Sequence, residues 1–194
     1  MIELQEADYI DLEQGTPEWH ALRANKIGAS DAASILGIGY NSIDKLWRIK
    51  TGLEVVKQNA AMRRGSELEP KARKQFVETI GARYEPAIYV SKRYPWLMAS
   101  LDGINDAGTA ILEIKCGGMK LHMQAMEGKI PPYYYSQMQH QLLVTGLETC
   151  YYYSFDGEES GALIIVSRDK EYIDDYIPKS KKFWDCIQSL TPPD

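Results

Sequence analysis

The spacing of apolar residues changes along the chain and separates segments with a helical period from segments with an extended one. Helices are predicted where a capping residue precedes a helical pattern or a glycine ends it, from residue 16 onward and at 31–36, 42–51, 60–80, 133–145 and 171–187. Alternation of apolar and polar residues predicts strands at 87–90, 97–102, 110–115, 150–155 and 162–166.

The order of these elements predicts the fold class. Helices come first, and the strands that follow are interrupted by a helix, which is typical of an α/β domain with a central mixed β-sheet flanked by helices. Turn-forming residues at 105–108 separate the strands at 97–102 and 110–115, so these strands are predicted to form an antiparallel hairpin. A length of 194 residues fits one domain over residues 1–194, with a flexible tail at about 190–194.

Composition and charge exclude few classes of function. A net charge of −5 is unfavourable for a general nucleic-acid coat, although an acidic protein can still present a local positive groove to DNA. No apolar run reaches the roughly 18 residues of a membrane span, and the acidic N-terminus lacks a signal-peptide pattern, so we expect a cytoplasmic protein without membrane contact. The cysteines are far apart and are expected to be isolated thiols, at Cys116, Cys150 and Cys186.

The predicted hairpin carries residues suited to phosphodiester hydrolysis. Glu113 and Lys115 lie two apart on one strand and project to the same side, where Asp102 of the neighbouring strand is expected to join them. The two carboxylates and the Ile114 carbonyl oxygen are hard ligands suited to Mg²⁺, for which Mn²⁺ can substitute. Lys115 would orient or deprotonate the attacking water, or stabilise the transition state.

The Glu-x-Lys triplet is a weak signal by itself. Glu127-Gly-Lys129 repeats it in a segment with no strand pattern. The set around Asp102 is more specific, because it adds an upstream aspartate, an intervening turn and an apolar strand around each acid.

Two of the predicted helices carry further candidate site residues. Glu69, on the helix at 60–80, is either a surface glutamate or a third carboxylate of the metal site. The basic residues of that helix are equally consistent with a solvated face and with a DNA-facing one. On the helix at 133–145, three glutamines beside three tyrosines indicate a polar and aromatic surface facing the active site or DNA, at Gln137, Gln139 and Gln141.

Five short motifs follow one another in an order that matches a nuclease family. They are Trp19-x-x-x-Arg23-x-x-x-Ile27-Gly-Ala-Ser30, Gly65-x-x-x-Glu69, Ser100-Leu-Asp102-Gly, Leu112-Glu-Ile-Lys115-Cys and Gln137-Met-Gln139. Over about residues 14–187, the chain resembles phage lambda exonuclease and the YqaJ-like viral recombinases, within the PD-(D/E)xK nuclease superfamily. The proline that usually precedes the first aspartate of that signature is replaced here by Leu101.

The resemblance implies a restriction-endonuclease-like core and a Mg²⁺-dependent exonuclease that degrades one strand of linear double-stranded DNA from 5′ to 3′. The residues it implies for the metal site and catalysis are Asp102, Glu113, Ile114, Glu69 and Lys115. Those it implies for binding the terminal 5′-phosphate are Arg23, Ser30 and Ser100. Either Gln137 or Gln139 would help to orient the substrate.

The resemblance also implies partners, and it leaves two alternative functions open. The implied assembly is a homotrimer on DNA ends, with a phage single-strand annealing protein as its partner in recombination, in the host cell of a phage or prophage. A site- or structure-specific endonuclease of the same superfamily is the first alternative, and it would also cut closed circular DNA. A non-catalytic DNA-end or protein-binding module is the second, although such a module does not need both acids and the lysine.

Overall fold

The computed structural model describes residues 2–56 and 58–193, in which strands and helices form an α/β fold. The strands are β1 (Ala7–Tyr9), β2 (Ile27–Gly28), β3 (Tyr84–Ser91), β4 (Leu97–Asn105), β5 (Ala110–Lys115), β6 (Thr149–Phe155) and β7 (Gly161–Ser167). The helices are α1 (Pro17–Ala24), α2 (Ala32–Ile35), α3 (Ile43–Lys50), α4 (Ala60–Ile80), α5 (Met119–Met126), α6 (Pro132–Thr145) and α7 (Lys170–Gln188).

The strands form one mixed sheet in the order β1-β3-β4-β5-β6-β7, with β2 paired to β4. Paired strands are antiparallel except β5 with β6 and β2 with β4, which are parallel. Parallel neighbours need a crossover connection, and α5 and α6 provide it between β5 and β6. The predicted fold class is therefore confirmed, and so is the antiparallel hairpin of β4 and β5.

Helices cover both faces of the sheet, so its central strands are buried on two sides. On one face, Leu142 of α6 belongs to the larger core together with Ile111 of β5. On the other face, Phe76 of α4 packs in a smaller core with Leu112 of β5. Successive residues of a strand point to opposite faces, so Glu113 points to the α6 face, where its side chain is 1% exposed.

The sequence pattern does not predict β1, β2 or α5. The two strands span three and two residues, which is too short for an alternation to be recognised. Helix α5 begins after Gly118 without a side-chain cap, and its exposed face is apolar at Met119, Met123 and Met126. These methionines have helical spacing, but no side-chain cap marks the start of the helix in the sequence.

Two further predictions concern the C-terminal residues and the three cysteines. The Thr191 amide donates to the Cys186 carbonyl at 3.0 Å, so the predicted flexible tail begins folded back on α7, while Asp194 lies outside the described residues. All three cysteines are free thiols. Among the described residues, no helix has both the length and the apolar character needed to cross a bilayer.

Candidate active site

Asp102 and Glu113 lie side by side where β4 and β5 pair. Gly103 of β4 pairs with Leu112 of β5, and each of these residues is next to one of the two acids in the sequence. Asp102 Oδ2 accepts a hydrogen bond from the Ile114 amide at 2.7 Å, and Lys115 Nζ forms an ion pair with the Glu113 carboxylate. The structure therefore brings together the two acids and the lysine, as their strand positions predicted.

Two glutamines of α6 hold the Glu113 carboxylate. Gln137 Nε2 donates to Oε1 at 2.6 Å, and Gln141 Nε2 donates to Oε2 at 2.5 Å. A buried carboxylate is costly unless it is paired and hydrogen-bonded, and these two amides together with Lys115 meet that requirement. The fold thus fixes the orientation of both carboxylate oxygens.

Gln139, which was also predicted to orient the substrate, lies on another side of α6. Its Nε2 donates to the Ser167 carbonyl at 2.9 Å, and its Oε1 accepts from the Asp169 amide at 2.8 Å. These bonds tie α6 to the connection between β7 and α7. The predicted placement of Gln139 at the site is wrong, because helical residues two apart point in nearly opposite directions. Residues four apart share a face, and Gln141, which the sequence placed on the same polar surface as Gln137, joins it at Glu113.

Lys115 is enclosed by Glu113 and by the ring of Tyr134. Its Nζ lies 4.9 Å from the Tyr134 ring centroid, which is a cation–π distance. Burial lowers the pKa of Lys115, but the negative charges of Glu113 and Asp102 outweigh burial and raise the pKa above its ordinary value. The ion pair with Glu113 holds the Lys115 amino group beside the two acids, where it can stabilise negative charge.

Negative charge is concentrated around Asp102. Burial raises the pKa of Asp102 well above its ordinary value, and the charges of Glu113 and Glu69 raise it further. Burial also raises the pKa of Glu69, although Glu69 forms an ion pair with Arg73 one helical turn away on α4. Arg73 Nε donates to the Asp102 carbonyl at 2.8 Å, so it anchors α4 to β4 and keeps Glu69 near the site.

The donor chemistry of this cluster fits a divalent cation. Asp102, Glu113 and the Ile114 carbonyl oxygen are hard donors of the kind that Mg²⁺ prefers, and a cation would offset the repulsion that raises the pKa of Asp102. Across residues 2–56 and 58–193, no group of three or more His, Cys, Asp or Glu side chains is arranged to hold a metal ion. Glu69 is paired with Arg73 instead, so its role as a metal ligand stays a prediction.

The predicted phosphate-binding residues form a second cluster, between α1 and β4. Arg23 Nη2 donates to the Ser30 hydroxyl at 3.0 Å, and the guanidinium carbon lies 4.6 Å from the Trp19 ring centroid. Trp19 Nε1 in turn donates to the Ser100 hydroxyl at 2.8 Å. Ser100 precedes Asp102 by two residues on β4 and so projects to the same side. Trp19 thus links the Arg23–Ser30 pair to the strand that bears Asp102.

A buried ion pair holds the segment that carries Ser30. Lys50 Nζ lies 2.7 Å from Asp31 Oδ2, and the two side chains are 6% and 10% exposed. The same Nζ donates to the carbonyls of Arg23 and Lys26, each at 2.8 Å. Burial raises the pKa of Asp31, but the positive charges of Lys50 and Arg23 bring it below its ordinary value. Lys50 therefore fixes α1 and the turn after it relative to α3.

We expect Lys50→Met to lower the free energy of unfolding by about 3–5 kcal/mol, because Asp31 is then buried without its partner. The matched control is Lys45→Met, which removes an exposed 3.8 Å pair with Glu54 and should cost less than about 1 kcal/mol. Folding lowers the pKa of Asp31, so its stabilisation is present above the ordinary value of 3.8 and is lost as the pH falls further. Urea titrations at neutral and acid pH measure both effects. Equal costs for the two variants would contradict the assignment.

The basic stretch of α4 makes contacts of three kinds. Arg64 Nη2 donates to the Asp156 carbonyl at 2.9 Å, and Lys71 Nζ lies 5.5 Å from the Phe155 ring centroid, so both contact the end of β6 and the loop after it. Arg73 belongs to the site described above. Apart from Arg73, the basic side chains of this helix are exposed, including those of Arg64 and Lys71. The solvated and the DNA-facing interpretations of this stretch therefore both stay predictions.

A model of the YqaJ-like viral recombinase domain matches residues 18–148. The chain belongs to the YqaJ-like viral recombinase family. The matched range contains the Arg23–Ser30 pair, the acids and lysine of β4 and β5, and the glutamines of α6. This membership confirms the family that the five sequence motifs indicated.

Individual relatives agree with membership of the YqaJ-like family. The YqaJ protein of Bacillus subtilis (strain 168) is 32% identical over 179 residues, which cover 89% of this chain. Those residues are 56% of that protein, so the chain spans about half the length of this relative.

Solved structures extend the comparison to the fold. Structures of the alkaline exonuclease LHK-Exo from Laribacter hongkongensis match the chain with TM-scores of 0.78, in complex with dAMP, and 0.77. Both are 27% identical and cover 90% of this chain and 94% of LHK-Exo. A phage-related exonuclease from Haemophilus somnus 129PT shares the fold, with a TM-score of 0.64 at 17% identity over 85% of this chain and 96% of its own. The YqaJ-like family and the likeness to LHK-Exo support a nuclease.

Proposed function

We propose that this YqaJ-family protein is a Mg²⁺-dependent exonuclease that degrades one strand of linear double-stranded DNA from 5′ to 3′. The observation that carries the proposal is the contiguity of two acidic side chains and a lysine, with an arginine–serine cluster attached to the same strand. A cleavage site beside a terminal-phosphate site is the arrangement that a nuclease acting from a 5′ end requires. A likeness to an alkaline exonuclease solved with a nucleoside monophosphate, dAMP, supports the same reaction.

Each group of the site has a proposed role. Asp102, Glu113 and the Ile114 carbonyl would hold Mg²⁺, or Mn²⁺ in its place, and the bound cation would supply a more acidic water and neutralise phosphate charge. The two glutamines fix Glu113 in a single orientation, which preorganises that ligand. Lys115, held as a cation, would orient the attacking water or stabilise the charge that develops on the scissile phosphate. Glu69 would become a ligand if its carboxylate left Arg73 and bound the cation instead.

A single digestion assay tests the reaction. Linear duplex DNA and closed circular DNA are incubated with Mg²⁺, with Mn²⁺ and with EDTA. We expect stepwise loss of one strand from the linear DNA with either cation, no digestion in EDTA, and intact circles throughout. Cutting of circles would indicate the endonuclease alternative, and binding without cleavage under every condition would overturn the nuclease proposal.

Arg23 gives the proposal a sharper test, because a guanidinium fork matches a terminal phosphate better than any other side chain does. Charge-assisted hydrogen bonds of about 1.5–3 kcal/mol correspond to a loss of about 10- to 100-fold in kcat/KM for Arg23→Ala on 5′-phosphorylated ends. Arg23→Lys keeps the charge but not the fork and should recover only part of the loss. Duplexes with 5′-hydroxyl ends are the control, and an equal loss on both kinds of end would remove Arg23 from the phosphate site.

Partners and assembly are part of the same proposal. We propose that the protein acts on double-stranded DNA ends as a homotrimer and hands single strands to a phage annealing protein during recombination, in the cytoplasm of the host cell. Membership of a viral recombinase family supports the recombination role, and the resemblance to lambda exonuclease supports the trimer. Light scattering distinguishes a trimer from a single chain of 22.0 kDa.

A further inference from the structure

Three tyrosines connect Lys115 to the protein surface. Tyr134 lies against the Lys115 ammonium group, the rings of Tyr134 and Tyr133 are 4.5 Å apart between centroids, and those of Tyr133 and Tyr40 are 5.0 Å apart. Tyr40 is in the loop between α2 and α3 and is 83% exposed. An aromatic ring is therefore presented to solvent at the end of a continuous path of ring contacts from the lysine.

The loop backbone sets the position of Tyr40. Gly37 has a φ of +73°, a conformation that residues with a side chain rarely adopt. A Cβ at Gly39 would lie 2.8 Å from the backbone nitrogen of Ser34, so the loop packs closely against the end of α2. The ring of Tyr40 is thus held out from a closely packed loop.

A groove of about 560 Å³ lies beside Tyr40 and Tyr133. Lys120, Leu121 and Gln124 of α5 also line it. It also includes a glycine, at position 117, only two residues after Lys115. The lining of the groove therefore includes the segment that directly follows β5 and Lys115.

The side chains of this groove have the chemistry with which proteins bind unpaired nucleobases. An aromatic face stacks on a base, an amide such as that of Gln124 can pair with a base edge, and an ammonium group such as that of Lys120 can pair with a backbone phosphate. Tyr133 precedes Gln137 by one helical turn and shares its face of α6, and Gln137 contacts Glu113. The helix that lines the groove thus also contacts Glu113 at the candidate site.

We propose that this groove binds an unpaired nucleobase of the DNA substrate, which stacks on Tyr40 beside the phosphate that is cut. The inference rests on the proposed nuclease function and adds a subsite to it. A base must leave its complementary partner to stack there, so the subsite favours ends whose last base pairs are already open.

The test measures DNA binding by fluorescence anisotropy in EDTA. The substrate is a 5′-phosphorylated duplex with an unpaired end. It is used in two forms, one intact and one abasic at the unpaired positions. We expect Tyr40→Ala to weaken binding of the intact end by about tenfold, since stacking on an aromatic side chain is worth about 1–3 kcal/mol per base. Tyr40→Phe and Tyr40→Trp keep the ring and should bind as the wild type does. Removing the unpaired bases should weaken DNA binding by the wild type by a similar factor. It should hardly affect binding by Tyr40→Ala, because the abasic substitution and the alanine substitution delete the same contact.

The control variant is Ile165→Ala, which truncates a 64% exposed side chain on β7, outside the groove. It should leave binding unchanged, and melting curves should show that all variants are folded. Unchanged binding by Tyr40→Ala, or an equal loss on intact and abasic ends, would overturn the proposal. This outcome is separate from failure of the nuclease function, which is decided by whether the wild type digests linear DNA at all.

Discussion

Lys115→Ala is expected to reduce digestion of linear duplex DNA by about 10³-fold while leaving DNA binding close to that of the wild type. The lysine is the cation paired with Glu113, and a positioned donor or proton-transfer group contributes about 10²–10⁴-fold to a reaction of this kind. Binding survives because most DNA affinity comes from contacts with the phosphate backbone elsewhere on the protein. Initial rates in Mg²⁺ and anisotropy in EDTA measure the two quantities separately.

The chain provides a matched control for this variant. Lys129 belongs to a second Glu-x-Lys triplet, where it pairs with Glu127 at 2.8 Å on the surface, and the two side chains are 70% and 56% exposed. Lys129→Ala should digest DNA at the wild-type rate. Substantial activity in Lys115→Ala, or a comparable defect in Lys129→Ala, would refute the role given to Lys115.

Asp102→Asn is expected to abolish digestion and yet raise the melting temperature of the metal-free protein. Folding raises the pKa of Asp102, so the carboxylate destabilises the fold at pH values above its ordinary 3.8, increasingly up to the folded pKa. Asparagine removes this charge and can still accept the hydrogen bond from the Ile114 amide. Activity should fall by at least about 10³-fold with the loss of a metal ligand. The melting temperature should rise by a few degrees, since about 1 kcal/mol corresponds to roughly 2–4 °C at this size.

Calorimetry in EDTA and in Mg²⁺ separates the two effects. The wild type should gain stability from Mg²⁺, because a ligand that binds only the folded state stabilises it, whereas Asp102→Asn should not. Asp106→Asn, an exposed change in the turn of the same hairpin, should alter neither activity nor melting. A variant at Asp102 that melts below the wild type in EDTA would show that the carboxylate stabilises the fold.

Much of the fold and the centre of the site follow from local sequence patterns. Alternating apolar residues and the turn at 105–108 predict the β4–β5 hairpin, and the two-residue period of a strand puts Glu113 and Lys115 on one side. The five motifs also indicate the family, which the match over residues 18–148 confirms. These features depend on neighbours in the sequence, so the sequence by itself determines them.

Only the tertiary structure decides how the helices face the sheet. Helical spacing shows that Gln137 and Gln141 share a face, but not that this face meets Glu113 while Gln139 ties α6 to β7. The pairing of Glu69 with Arg73 likewise depends on the placement of α4 against β4. The groove at Tyr40 combines a loop after α2 with α5, a helix whose start no side-chain cap marks. The rotation of a helix about its own axis is set by packing against residues that are distant in the sequence. The spacing of residues within the helix therefore does not determine which strand residue its side chains contact.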